Sequence, residues 1–131
     1  MNFSRIKETC IYVSDLERCR QFYAGKLKLP IISFVDGRHV FFRAGSSVLL
    51  CFIAASTKRS TELPPHGAYG VIHFAFQVPK DEYLQNLYAI KEAGINILHQ
   101  QTWKGGLQSF YFEDPDNNLL EVIQEGFWEN Y

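Results

Sequence analysis

An internal repeat constrains this chain more than any other feature. The stretches "ETCIYVSDLERCRQFYAGKLKLPII" and "HFAFQVPKDEYLQNLYAIKEAGINI" can be laid one above the other so that Glu8 falls on His73, Val13 on Val78, Tyr23 on Tyr88 and Ile32 on Ile97. Each copy opens with a short apolar strand, turns at Ser14-Asp15 or Pro79-Lys80-Asp81, and continues as an amphipathic helix. Leu16, Cys19, Phe22, Tyr23 and Leu27 make the apolar stripe of the first helix, and Leu84, Leu87 and Tyr88 that of the second. Asp15 suits a helix N-cap, Pro79 a first turn, and Gly94 a C-terminal stop. With a few extra residues absorbed before the last two strands, "HVFFRAGSSVLLC" lies over "SFYFEDPDNNLLE", which sets Phe41 on Tyr111, Phe42 on Phe112, Leu49 on Leu119 and Cys51 on Glu121. Both are hairpins, turning at "AGSS" and "DPDNN". With "LPIISFV" and "INILHQQ" as the remaining strands, the expected fold class is α+β, two β-α-β-β-β modules. Module one covers about residues 1–55, a Ser/Thr/Pro/Gly-rich linker 56–69, module two 70–125 and an aromatic tail 126–131.

Strand alternation assigns faces. If the helices cover Phe74, Phe76, Val78, Phe110 and Phe112, the opposite, concave face carries His73, Ala75, Gln77, Ser109, Tyr111, Leu119 and Glu121. By the repeat it also carries Glu8, Cys10, Tyr12, His39, Phe41, Arg43, Leu49 and Cys51. Polar groups gathered on one side of otherwise apolar sheets describe a lined cavity better than a solid core.

Composition narrows the partners. At 131 residues, 47% hydrophobic and a formal charge of -1, the chain can bury a core and shows no basic footprint for nucleic acid or an anionic membrane. No apolar run reaches a membrane span, and "MNFSRIKETC" lacks a secretory pattern, so a cytoplasmic protein is expected. Cys10, Cys19 and Cys51 are an odd number without finger spacing, which suits reduced thiols.

Glu121 stands in the apolar run "LLEVI", where a carboxylate needs a cation, a donor or solvent. Glu8 with His73 and Cys51 with Glu121 are two repeat-related pairs, and a pseudo-twofold axis would gather all four. Imidazole with two carboxylates is a donor set for Zn, Ni, Mn, Fe or Co. Blander readings stand beside this one: His73 as a core histidine, Glu8 paired with Arg43 or Lys7 at an edge, and Cys51 as a small hydrophobe. Tyr111 is either a cross-strand aromatic or a phenol aimed at the cavity. His39 and Arg43 either orient an anionic substrate or decorate a rim. Tyr12, Phe41, Leu49, Ile53 and Trp103 give such a cavity an apolar wall, with Trp103 and the tail "EGFWENY" near its mouth. His66 is a spare candidate on the linker.

The paired modules, with "ETCIYVSDLERCRQFY", "HFAFQVP" and "SFYFEDPDNNLLEV", resemble the vicinal oxygen chelate superfamily, which includes glyoxalase I, bleomycin- and fosfomycin-resistance proteins and extradiol dioxygenases. The resemblance spans nearly the whole chain. It implies a curled, open-barrel sheet with a central cavity and one divalent ion held by Glu8, His73 and Glu121. It implies an enzyme acting on a small oxygen-chelating substrate by lyase, isomerase or thiol-transfer chemistry, with Glu8, Glu121 and Tyr111 catalytic. Tyr12, His39, Phe41, Arg43 and Trp103 would meet the substrate, and the assembly would be a homodimer. Glu8 replaces the His of many members, and Cys51 stands where glyoxalase I has a fourth carboxylate. These departures keep a second expectation in view, a metal-free module that sequesters a hydrophobic or aromatic ligand, as the bleomycin-resistance branch does.

Overall fold

The computed structural model describes residues 1–2, 5–59 and 67–130, with Asn130 in its backbone alone, and His66 lies outside the described residues. The chain divides into two compact units, Met1–Gly70 and Val71–Tyr131. Each is a β-α-β-β-β module, so the α+β class read from the repeat holds.

In the first unit, β1 (Glu8–Tyr12) leads to α1 (Leu16–Arg20), which widens into a π-helical stretch over Gln21–Lys26. The Asp15 carboxylate caps α1 by accepting from the Arg18 N–H at 2.9 Å, satisfying a donor that the first turn leaves open. β2 (Ile31–Val35), β3 (His39–Ala44) and β4 (Ser47–Phe52) follow, and the sheet order is β1-β4-β3-β2 with β1 parallel to β4. Leu16, Cys19, Phe22 and Tyr23 are buried with Ile11, Val40 and Phe42. The Tyr23 ring meets Phe42 at 5.4 Å. A helical turn, α2 (Ala54–Thr57), straddles the expected boundary between module one and the linker; its Thr57 is buried and donates to the Ile53 carbonyl at 3.2 Å.

The second unit repeats the plan. β5 (His73–Val78) passes through a 3-10 turn at Lys80–Glu82 into α3 (Tyr83–Glu92), then β6 (His99–Thr102), β7 (Gln108–Glu113) and β8 (Leu119–Gln124), in the order β5-β8-β7-β6. Gly94 ends α3 at φ +76°, a left-handed value that glycine adopts without steric cost. Phe110, Phe112, Leu120 and Val122 form the core beneath the helix.

Two expectations are corrected. The buried stripe of α3 is Tyr83 and Leu87, whereas Leu84 and Tyr88 are 57% and 58% exposed. The helix starts at Tyr83, and the i, i+4 pair Tyr83/Leu87 takes the sheet-facing line, which turns Leu84 and Tyr88 about 100° away. The second correction concerns β4. Its register pairs Cys10 with Leu50, Ile11 with Cys51, Phe41 with Leu50 and Phe42 with Leu49. Directly opposed residues share a face, so Leu49 and Cys51 lie with Ile11 under α1, while Leu50 and Phe52 join Cys10, Tyr12 and Phe41. Glu121 pairs with Ala75 and Tyr111, so its repeat counterpart is Leu50, not Cys51. The cause is the hairpin loop, which is one residue shorter in the first unit, and one residue exchanges the faces of a strand.

This core assignment carries a stability prediction. Phe110→Ala should cost about 3–5 kcal/mol in chemical denaturation, because it empties a fully buried site. Tyr88→Ala should cost less than about 0.5 kcal/mol. Equal losses would show that Tyr88 belongs to the core after all.

Candidate functional site

The helix-free face of the second unit holds the most unusual electrostatic feature of the chain. β8 sets Glu121 between Ala75 on β5 and Tyr111 on β7, in a residue that is only 6% exposed. Taking an unpaired carboxylate out of water costs several kcal/mol, so compensation is required. Part comes from His73, whose Nε2 lies 3.3 Å from Glu121 Oε2. The other imidazole nitrogen, Nδ1, is 2.9 Å from the Leu119 carbonyl. A carbonyl only accepts, so Nδ1 carries a proton and donates it. In the neutral ring, Nε2 is then a lone pair facing a carboxylate oxygen, and two acceptors at that separation call for a cation between them, a proton or a metal ion. The second carboxylate oxygen, Glu121 Oε1, is buried with no hydrogen-bond partner among the described residues. An imidazole oriented by a backbone carbonyl beside an orphaned carboxylate oxygen fits a divalent first-row ion. Within the second unit no third His, Cys, Asp or Glu joins the pair among the described residues.

Tyr111 lies beside this pair, its ring 6.1 Å from that of His73. Burial pushes its phenol above the ordinary value; a hydrogen bond with Ser109 works the other way, and the hydrogen bond and charge of Glu121 raise it again. The phenol therefore stays protonated at neutral pH and acts as a donor, not a base. Buried Ser109 also accepts from the Trp103 indole N–H at 2.9 Å, and Trp103 meets Phe127 edge-on at 5.0 Å, so Phe127 of the tail packs on Trp103, while Trp128 is exposed. His99 and Gln101 on β6 pair with Tyr111 and Ser109 and share their face. Sequence reading placed "INILHQQ" on a strand but did not single out these two; its alternation, anchored on Tyr111, was the available signal.

In the first unit, Glu8 starts β1 and is exposed; it pairs with Val48 as His73 pairs with Leu119, so its repeat equivalence with His73 holds in three dimensions. The Cys10 thiol on the same face is pushed up by burial and then by the Glu8 charge. Arg43 is exposed near the end of β3. Tyr12, Phe41 and His39 surround Phe52, which sequence reading did not name: centroid distances to Phe52 are 6.5, 5.2 and 6.0 Å. His39 is 6% exposed and stacks on Phe41 at 3.9 Å. Its Nδ1 accepts from the Arg38 guanidinium, which leaves Nε2 to donate to Ser33 Oγ at 2.9 Å. Both polar atoms of His39 are thus engaged inside the protein. Leu49 faces α1, and Ile53 is half-buried after β4.

The family model of the Glyoxalase/Bleomycin resistance protein/Dioxygenase superfamily matches residues 5–122. A solved lactoylglutathione lyase from Agrobacterium tumefaciens superimposes with a TM-score of 0.90 at 32% identity, covering 97% of this chain and 98% of that one. Glutathione transferase FosA from Serratia marcescens is 27% identical over 113 residues, 84% of this chain and 73% of the relative. Metallothiol transferase FosB from Staphylococcus epidermidis is 24% identical over 123 residues, 93% of this chain and 82% of the relative.

The environment of His39 makes a pH prediction. Burial, and then the adjacent Arg38 charge, hold its pKa below the ordinary histidine value. Below about pH 6.5 the unfolded chain binds a proton that the folded chain resists. The stabilising contribution is therefore present above that pH and is lost as pH falls beneath it. His39→Gln should flatten the fall of the urea midpoint between about pH 7 and pH 5. An unchanged slope would assign the acid sensitivity to other groups.

Proposed function

The chain belongs to the glyoxalase/bleomycin resistance protein/dioxygenase superfamily, and from that premise we propose that it is a divalent-metal-dependent enzyme acting on a small organic substrate with adjacent oxygens. The observation that carries this reading is the buried Glu121 carboxylate, one oxygen 3.3 Å from the bare nitrogen of an oriented imidazole and the other without a hydrogen-bond partner among the described residues. His73 and Glu121 would hold the ion, and Glu8, at the repeat-equivalent place in the first unit, is the proposed third donor. A bound Zn, Ni, Mn, Fe or Co ion would supply Lewis acidity toward the substrate's oxygens.

The remaining roles belong to the chain's own groups. The Tyr111 phenol donates a hydrogen bond to a substrate oxygen as negative charge develops there. Glu8 and Glu121 are the carboxylates available to carry a proton. Arg43 meets an anionic substituent, and Tyr12, Phe41 and Trp103 provide apolar contact. His39, with both nitrogens engaged, backs Phe41 instead of touching substrate. Three similar proteins are named a glutathione transferase, a metallothiol transferase and a lactoylglutathione lyase, which supports thiol-transfer or lyase chemistry here. No helix among the described residues is long and apolar enough to cross a membrane, and a cytoplasmic location is proposed with the function. So is a homodimer, supported by exposed Ile31, Ile32, Phe34 and Val35 on the edge strand β2. A second reading, metal-free capture of an aromatic ligand, is favoured by the ring cluster of Tyr12, Phe41 and Phe52.

Elemental analysis of protein purified without chelators decides between the readings. One divalent ion per chain is expected in the wild type, with most of it lost in His73→Ala and Glu121→Gln. Unchanged content in both variants would overturn the metal reading. Run on material weighed by sedimentation equilibrium, the same preparation tests the dimer, whose mass is twice 15.1 kDa.

A thermal-shift screen with metal present addresses the substrate class. A ligand at a hundred times its dissociation constant stabilises by about 2.7 kcal/mol, a shift of several degrees. Small 2-hydroxy or 2-oxo acids should produce it, and Arg43→Ala should reduce it. A shift given by nucleotides and not by oxygen chelators would overturn the substrate class.

A further inference from the structure

We infer that the Asp114–Asn118 turn is a positioning device for His73, with Asn118 as the residue that transmits its geometry. Asp114 and Asn118 are 4% and 2% exposed, although they belong to a hairpin loop, where side chains are ordinarily solvated. Asp114 Oδ1 accepts from the backbone N–H groups of Asp116 and Asn118 at 2.9 Å each, and its Oδ2 accepts from Asn118 Nδ2 at 2.9 Å. One amide N–H of Asn118 is held by the carboxylate, which fixes the side chain's orientation and turns its oxygen the other way. That oxygen accepts the N–H of Ile72, 3.1 Å away, in the residue directly before His73.

The next residue completes the clamp from both sides. Leu119 donates its N–H to the Ile72 carbonyl at 2.8 Å and accepts from His73 Nδ1 with its own carbonyl at 2.9 Å. One turn therefore fixes the backbone just before the imidazole, the carbonyl that selects its tautomer, and, two residues along β8, the Glu121 carboxylate that faces Nε2.

The first unit serves as an internal control. It forms the same parallel first-to-last strand pairing, with Val48 donating to the Lys7 carbonyl at 2.9 Å. Its loop is only Gly45-Ser46, both exposed, and Ser47 stands where the second unit has Asn118. The strand pairing thus needs no buried Asp–Asn pair. Glu8 in place of His73 has no imidazole to orient. The Asp114–Asn118 network occurs in the module that has a histidine at that position.

The inference rests on the metal reading only for its affinity arm, because the tautomer is set in the metal-free chain. Long-range 15N–1H correlation spectra of the metal-free His73 ring read the tautomer of the neutral form directly. The wild type should show a proton on Nδ1 and a bare Nε2. Asn118→Ala should show both tautomers, with first-unit amide signals in place, and should bind Zn2+ at least about tenfold more weakly, the scale of losing a group that orients a ligand. If Asn118→Ala fails to fold, Asp114→Asn carries the test; it weakens the grip on the Asn118 amide and should also mix the tautomers. A folded variant that keeps the single Nδ1–H tautomer overturns the inference, whether or not its zinc affinity falls. If the wild type binds none of Zn, Ni, Mn, Fe and Co, the metal reading fails while the tautomer comparison still judges the role of Asn118.

Discussion

The parallel pairing of the first and last strands of a module is the constraint on which the rest of this structure depends. A hairpin inherits its register from its turn, but β5 and β8 are brought together across the whole module, and no short connection aligns them. Side chains alternate with a period of two, so a slip of one residue would send Glu121 under α3 and bring Leu120 or Val122 out beside His73. A charge among Phe110, Phe112 and Tyr83 would cost several kcal/mol, and the apolar packing there enforces the register from below. Backbone bonds at the strand start enforce it from above.

Once that register is set, the chemistry of the helix-free face follows. The core on one side is filled, and on the other side a carboxylate is buried with one oxygen lacking a hydrogen-bond partner among the described residues. Such an arrangement does not favour stability, since a buried charge is costly unless it is fully compensated. Sites that break the local rules of folding are where function is sought. The two modules divide the work unequally. The first has Leu50 where the second has Glu121, and a ring cluster of Tyr12, Phe41, His39 and Phe52 where the second has His73, Tyr111 and His99. The shared backbone plan thus carries an aromatic cluster on the helix-free face of one module and a histidine–carboxylate pair on that of the other.

Much of this was legible in the residues. The repeat led to the strand and helix order, Asp15 to the cap, Gly94 to the helix stop, and alternation to the face shared by His73, Tyr111 and Glu121. Each depends on neighbours within a few residues or on a period that the sequence displays. The errors share the opposite property. Alignment by letters sets Cys51 over Glu121 because it does not count the residue that a tighter hairpin omits, and that one residue exchanges Leu49 and Cys51 for Leu50 and Phe52. Leu84 and Tyr88 were drawn into the stripe of α3 because the helix phase depends on where the preceding 3-10 turn ends.

Local pattern therefore determined the elements, their order and the unusual carboxylate in β8, because propensity, capping and periodicity act over one or two turns of chain. The tertiary structure decided which atoms meet: the 3.3 Å approach of His73 to Glu121, the tautomer set by the Leu119 carbonyl, the place of His99 beside Tyr111, and the reach of Asn118 to the Ile72 N–H. These contacts join residues far apart along the chain, and their geometry rests on strand register and loop length. Both are properties of the packed sheet, and no single stretch of sequence contains them.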